Sequence, residues 1–401
     1  MTVRLSRAYL DHNATTPLHP AARDAMIAAL AHCGNASSIH AEGRGARARV
    51  EAARAEIAGL VGASAHGVVF TSGGTEALNL VLTPHLQAAG ADSRPFDLLL
   101  AAAGEHAAVL GGHRFPADRV ALVGSTADGR LDLDALDAAL ARHAGRHIML
   151  ALQLANNETG VIQPVAEAAQ RVHAAGGVLV CDAVQGAGKI ACDIAALGAD
   201  VLVLSAHKIG GPQGVGAVCF GSGIPHIREV LLRGGGQERG LRAGTENVAG
   251  IVGMAAALRA AVARVGSDGA RLAALRDRLE HSIAAVAPDA VCFGVTAPRL
   301  PNTVFFAVPW VEAQVLLMVL DTEGVSVSTG SACSSGKVKR SHVLAAMGVA
   351  DALARGAIRV SLGWTSRPKD CELFSRAFEK AMRTIGARRG RGREVNGRVL
   401  A

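Results

Sequence analysis

Seven short, continuously apolar runs recur along the first half of the chain, at 67–70, 97–102, 119–123, 147–152, 178–181, 200–204 and 215–220. Apolar residues are not interleaved with polar ones, so each run reads as a strand buried on both faces. Helical segments lie between most of them, for example 75–87, 134–142 and 165–174, and an amphipathic stretch at 46–61 places Val50, Ala53, Ile57, Leu60 and Val61 on one face. This alternation predicts an α/β domain over 16–260, with a mainly parallel sheet between layers of helix. After a long Ala/Arg-rich helical stretch at 252–287, strands become sparse: one at 303–308, with helices at 311–322 and 370–385. That part, 261–385, reads as a smaller α+β domain joined by residues 1–15.

Half of the 401 residues are hydrophobic and only 3% are aromatic, so a large core is built from Ala, Val and Leu. The longest apolar stretches, 98–103 and 148–152, fall short of the roughly 18 consecutive apolar residues that a membrane span needs. The N-terminal MTVRLSRAYLDHN has no apolar signal-like run. A cytoplasmic protein that does not cross a membrane is expected. The seven cysteines (33, 181, 192, 219, 292, 333 and 371) contain no CxxC pair, and the histidines show no ligand spacing, which points away from a disulfide framework and a structural metal. The net charge of +7 is concentrated at the end, where 387–401 carries five arginines against Glu394. A disordered tail over 386–401 is the expectation, and RNA contact through it is the distant alternative.

Only six of the 41 basic residues are lysines (189, 208, 337, 339, 369 and 380), so a lysine in a special setting is informative. Guanidinium stays protonated, whereas a lysine amine can lose its proton and attack a carbonyl. In open α/β sheets ligands bind beyond the carboxyl ends of the strands. There the chain places TSGGTEALNL after 67–70, Asp182 with Gln185 after 178–181, and Ser205-Ala206-His207-Lys208 after 200–204. A helix start able to hold a phosphate, a carboxylate, and a lysine beside a hydroxyl and an imidazole are the parts that pyridoxal phosphate requires. The lysine holds the cofactor aldehyde as an imine, and the carboxylate keeps the pyridine nitrogen protonated. Other readings are a helix cap for Asp182 and a loop position for Lys208. GSACSSGK at 330–337 is no ATP-binding loop, having one residue too many between its glycines and Val338 in place of Ser/Thr.

Ten collinear segments then carry a resemblance: YLDHNATTPLHP (9–20), GNASSIHAEGRGAR (34–47), FTSGGTEALNL (70–80), GEHAAV (104–109), LANNETGVIQPV (154–165), CDAVQGAGK (181–189), SAHKIGGPQGVG (205–216), GGGQERGLRAGTENV (234–248), STGSACSSG (328–336) and AIRVSLGW (357–364). Together they resemble the cysteine desulfurases of the class V aminotransferase group, pyridoxal 5'-phosphate enzymes. The resemblance implies the PLP-dependent transferase fold, with a seven-stranded sheet in the large domain, and a homodimer with the cofactor near the subunit interface. It assigns Lys208 as the Schiff-base lysine, Asp182 as partner of the pyridine nitrogen, Gln185 as donor to the ring hydroxyl, and His106 as the stacking ring and an acid/base group for the substrate thiol. Gly74, Thr75, Ser205 and His207 would hold the phosphate, with Thr245 reaching it from the other subunit. Asn157 and Arg359 would fix the carboxylate of L-cysteine, and Cys333 would receive its sulfur as a persulfide, leaving alanine. The segment 326–342 is similar to that of the subgroup with a long cysteine loop. It implies delivery to an iron–sulfur scaffold protein or a sulfur carrier for tRNA thiolation, and marks Cys333 as a candidate ligand of a transient iron–sulfur cluster. Gln213 stands where many relatives carry lysine. Selenocysteine lyase and simple class V aminotransferase activity are the alternatives within the family.

Overall fold

The computed structural model describes residues 7–87, 94–221, 226–330 and 340–397. Seven strands form one sheet in the spatial order Val68–Thr71, Gly216–Phe220, Val201–Ser205, Val178–Asp182, Ile148–Gln153, Leu98–Ala102, Val120–Val123. Five neighbours from Val201–Ser205 to Val120–Val123 are parallel, and Gly216–Phe220 alone runs against both its partners. The apolar runs had marked these strands to within about a residue. Their continuity has a simple cause, since successive side chains enter opposite cores. Leu98, Leu100, Ile148, Leu150, Leu179 and Leu202 enter one layer, and Leu99, Ala101, Met149, Val180, Val201 and Val203 enter the other.

A second core lies around a four-stranded antiparallel sheet, ordered Val291–Cys292, Thr303–Ala307, Ile358–Ser361, Ser328–Thr329. Phe306, Phe374 and Phe378 pack edge-on and stacked within it, with Leu316 and Leu320. Ala8–Tyr9 pairs in parallel with Val325–Ser326, and Ala8 and Leu10 are buried there. Residues 8–10 therefore belong to this core, and the chain crosses from them to the first through Asp11 to Thr16.

Three expectations need correction. The helical stretch at 252–287 is two helices, Val248–Val262 and Val265–Val286, bent by 71°. Arg264 leaves helical geometry at φ −112° and ψ 3°. The bend lets Ile251, Met254 and Leu258 cover the first core and Leu272, Leu275, Leu279 and Ile283 the second, which one straight helix would not do. The helix expected over 75–87 ends at Val81, because Pro84 disfavours helical backbone at Thr83. Leu86–Gln87 instead pairs with His226–Ile227. The last helix spans Pro368–Gly397, so backbone expected to be a disordered tail is helical as far as Gly397. Its four arginines between 388 and 393 are good helix formers, its glycines are not, and the segment continues a helix already nucleated by packing. Among the described residues, no single helix is long and apolar enough to cross a membrane.

Candidate active site

Three parallel strands end side by side at Gln153, Asp182 and Ser205, and a cleft opens at those ends. It has a volume of about 1030 Å³, open mouth included. Gly74, Thr75, His106, Asn157, Asp182, Gln185, Ser205, His207, Lys208 and Arg359 all line it. Thr245 does not line it in its own chain and is exposed. Cys333 lies outside the described residues.

One wall is the start of helix Gly74–Val81, whose cap residue Gly73 contributes no side-chain bond. First-turn amides have no partner within a helix and carry its positive dipole end, so they suit an anion. A side chain at Gly74 would close this approach, since its Cβ would lie 2.9 Å from Val184 Cγ2 and 3.5 Å from Ser205 Cβ.

Asp182 is 8% exposed, and its carboxylate accepts from the Val184 amide at 3.0 Å. Burial pushes its carboxyl up to about 6, against the opposing pull of the Val184 amide and the Lys208 charge. Glu105 lies behind it, buried, raised by burial and by Asp182; one oxygen accepts from the Gln153 amide at 2.7 Å, and the other has no partner among the described residues. Because the folded chain holds the Asp182 proton more tightly than the unfolded chain, this group lowers stability as pH rises from about 4 to about 6. Ligand-free protein carrying Asp182→Asn should therefore be more stable than wild type at pH 7, by up to about 3 kcal/mol for a two-unit shift, with the gap closing near pH 4. Urea titrations at both pH values check this; equal stability at pH 7 contradicts it.

Lys208 sits in the turn after Val201–Ser205, and its Nζ donates to the carbonyls of Asn13 (2.7 Å) and Ala14 (2.8 Å). His207 Nδ1 lies 3.2 Å from Thr15 Oγ1. Burial, then the Lys208 charge, hold His207 down at about 4. His106 caps the short helix Ala107–Leu110, and its Nδ1 accepts from the Ala108 amide at 3.1 Å. Burial, Lys208 and His342 lower its pKa, so the ring is neutral at pH 7 and, with Nδ1 accepting, carries its proton on Nε2.

Arg359 is 4% exposed, donating to the Asn157 carbonyl (2.9 Å) and to Asp11 Oδ1 (2.8 Å), while its Nε has no partner among the described residues. A planar cation with a spare donor suits a carboxylate. Gly330 completes the cleft wall; a Cβ there would fall 2.4 Å from Glu158 Oε2. Ser341, beyond residues 331–339, donates to that same oxygen, and His342 Nε2 lies 2.7 Å from the Glu105 carbonyl. Both flanks of the segment carrying Cys333 thus stand on Glu158. Two other cysteines, Cys181 and Cys219, are fully buried, and burial pushes their thiols up, away from the nucleophilic thiolate.

Sequence reasoning gave no role to Asn13, Asp11, Glu105 or Lys189. Asn13 and Asp11 lie in YLDHNATTPLHP, which was quoted only as a matching segment; their importance is set by partners more than 140 residues away.

A family model for class-V aminotransferases matches residues 8–374. The chain is 42% identical to a cysteine desulfurase of Cereibacter sphaeroides, over 90% of this chain and 92% of that one. It is 40% identical to an IscS-like cysteine desulfurase of Mycobacterium tuberculosis, over 96% and 100%. Among solved structures it resembles a NifS-like protein from Rickettsia africae, with a TM-score of 0.83 and 31% identity, covering 94% of this chain and 99% of that one.

Proposed function

This chain belongs to the class-V aminotransferase family, among its cysteine desulfurases, and we propose from that premise that its cleft binds pyridoxal 5'-phosphate and L-cysteine and moves sulfur to Cys333. The meeting in one cleft of Asp182 and Arg359, from two strands, and Lys208, from the turn after a third, is the observation that carries this reading. The residues fit the cofactor. The helix start at Gly74 and Thr75, with Ser205 and His207, holds the phosphate. Asp182 takes the pyridine nitrogen, Gln185 the ring hydroxyl, and His106 one ring face. Bound there, the cofactor supplies an aldehyde for an amine and a ring that withdraws electrons from the bonds around the substrate α-carbon.

Arg359 and Asn157 orient the substrate carboxylate, leaving the α-hydrogen toward Lys208. The Lys208 amine takes that proton and later returns one. His106, neutral with its proton on Nε2, handles the proton of the substrate thiol. The Cys333 thiolate attacks the substrate sulfur; a sulfur–sulfur bond forms as the carbon–sulfur bond breaks, and the carbon takes a proton to become alanine. One thiol and one cysteine yield one persulfide and one alanine, so no outside oxidant or reductant is needed. The persulfide is then passed to an acceptor protein for iron–sulfur cluster assembly or tRNA thiolation. Thr245, exposed in its own chain, serves the cleft of a second copy in a homodimer.

Mass spectrometry after incubation with L-cysteine should show one added sulfur on the peptide containing Cys333. Cys333→Ser should keep bound cofactor yet lose persulfide and at least about 100-fold in alanine formation. Undiminished alanine and sulfide production by that variant would overturn the assignment.

A further inference from the structure

Lys189 is the second amine at this site, and the mechanism above leaves it unused. Its Nζ donates to Gln185 Oε1 at 2.7 Å and to Asn13 Oδ1 at 3.1 Å. The two ends of a glutamine amide are nearly identical in shape, so its partners decide which end faces where. Here both ends are specified. The protonated Lys189 amine has no lone pair and can only donate, which selects Oε1, and Nε2 donates to the Asn13 carbonyl, which can only accept, at 2.9 Å.

Asn13 ties this amide to the catalytic lysine. Its side chain accepts from Lys189 and from Asn302 Nδ2 (3.1 Å) and donates to Thr303 Oγ1 (2.9 Å), while its carbonyl receives both Gln185 and Lys208. Removing the Lys189 amine leaves Gln185 Oε1 without its donor and the amide held by the Asn13 carbonyl alone, so its plane can swing and its donor to the cleft is no longer fixed. It also removes from beside Lys208 an amine whose charge is present below about pH 7, burial and then the Lys208 and Arg359 charges holding Lys189 down to about 7.

We propose that Lys189 is a positioning residue that locks the Gln185 amide with its N–H end toward the cofactor site and holds the Asn13 turn against Lys208. The inference rests on the cleft binding pyridoxal phosphate as an imine with Lys208. The charged and titratable groups around the two amines are Asp182, His106, His207 and Arg359, with His12, itself beside Arg271, facing Lys189 from the N-terminal segment. Loss of an amide donor to the ring oxygen and loss of a nearby cation act in the same direction, both favouring the protonated imine.

The experiment is a visible-absorbance pH titration of the pyridoxal phosphate-loaded dimer. Lys189→Met should raise the midpoint of the imine transition by about one pH unit and weaken cofactor binding about tenfold. Lys189→Arg, which keeps charge and donors, should return most of the shift. Should Lys189→Met fail to fold, Lys189→Gln, with the charge gone and one donor kept, is read for the same rise. An unmoved midpoint in a folded neutral variant, with only a lower melting temperature, overturns the positioning role. The reading beneath it fails differently: wild-type protein would then show no imine band that Lys208→Ala abolishes.

Discussion

Lys208→Ala should leave a protein that no longer holds pyridoxal phosphate covalently and desulfurates cysteine at least about 10⁴-fold more slowly. The size follows from two losses at one atom. The amine that anchors the cofactor is gone, and so is the base at the α-carbon, alone worth roughly 10²–10⁴ in rate. Borohydride reduction followed by peptide mass spectrometry reads the covalent link at position 208, and alanine release reads the turnover. The rest of the cleft should survive, because Asp182, Arg359 and the Gly74 helix start are held by their own strands and bonds. Noncovalent cofactor binding should therefore persist, and added small amines should recover part of the activity. The variant also strips the donor from the Asn13 and Ala14 carbonyls. The Asn13 carbonyl keeps the Gln185 amide, but the Ala14 carbonyl loses its Lys208 donor at a cost of about 1–3 kcal/mol unless water reaches it, so a lower melting temperature should accompany the lost chemistry. Lys208→Arg keeps a donor near these carbonyls but cannot shed its proton, which separates the two effects: stability is regained and activity is not. A covalent imine surviving in Lys208→Ala would end the assignment.

What could be read in advance follows a physical line. A parallel strand buried on both faces must be apolar throughout, so 97–102 and 147–152 announced themselves without any alignment. Ligands gather at the carboxyl ends of such strands, which is why Asp182 and Lys208 could be picked from local position alone. Asn157, Thr245 and Arg359 came only from the resemblance, since nothing in the strand at Arg359 or the loop at Asn157 marks them. Asn13 was missed for a related reason: an asparagine near a chain start has no local signature, and its seven partners come from the far side of the fold. The bend at Arg264 was equally hidden. No proline interrupts the Ala/Arg pattern there; the turn-type cluster Gly266-Ser267-Asp268-Gly269 lies just beyond it, inside the second helix, and the break itself serves two cores that one helix axis would not cover together.

The second large effect is on stability, at a buried ion pair that sequence gave no reason to suspect. Arg54 and Glu238 are 4% and 6% exposed and meet through two bonds of 2.8 Å. The remaining capacity of each is used. Arg54 also donates to the Val68 carbonyl at 2.7 Å and lies over the Phe70 ring, and Glu238 accepts from the Phe70 amide at 2.8 Å. The edge of strand Val68–Thr71 that faces away from Gly216–Phe220 is thus clamped by one pair, immediately before the Gly74 helix start. Glu238 itself adopts the left-handed region at φ 46°, a cost that persists only because these bonds hold it. Arg54→Met should lower the unfolding free energy by about 3–5 kcal/mol, because it abandons a buried carboxylate as well as a backbone carbonyl. Arg54→Met with Glu238→Met should cost clearly less than the two single changes together, as no charge is then left unpaired. An exposed pair offers the control: Arg23→Met, facing Asp24 at the surface, should leave the urea midpoint unchanged. Because the clamp feeds the helix start proposed to hold the phosphate, Arg54→Met should also weaken pyridoxal phosphate binding at temperatures where the chain is still folded. A variant as stable as wild type in urea would show that strand 68–71 and its loop are fixed by packing alone, and that the ion pair contributes no more than a surface one.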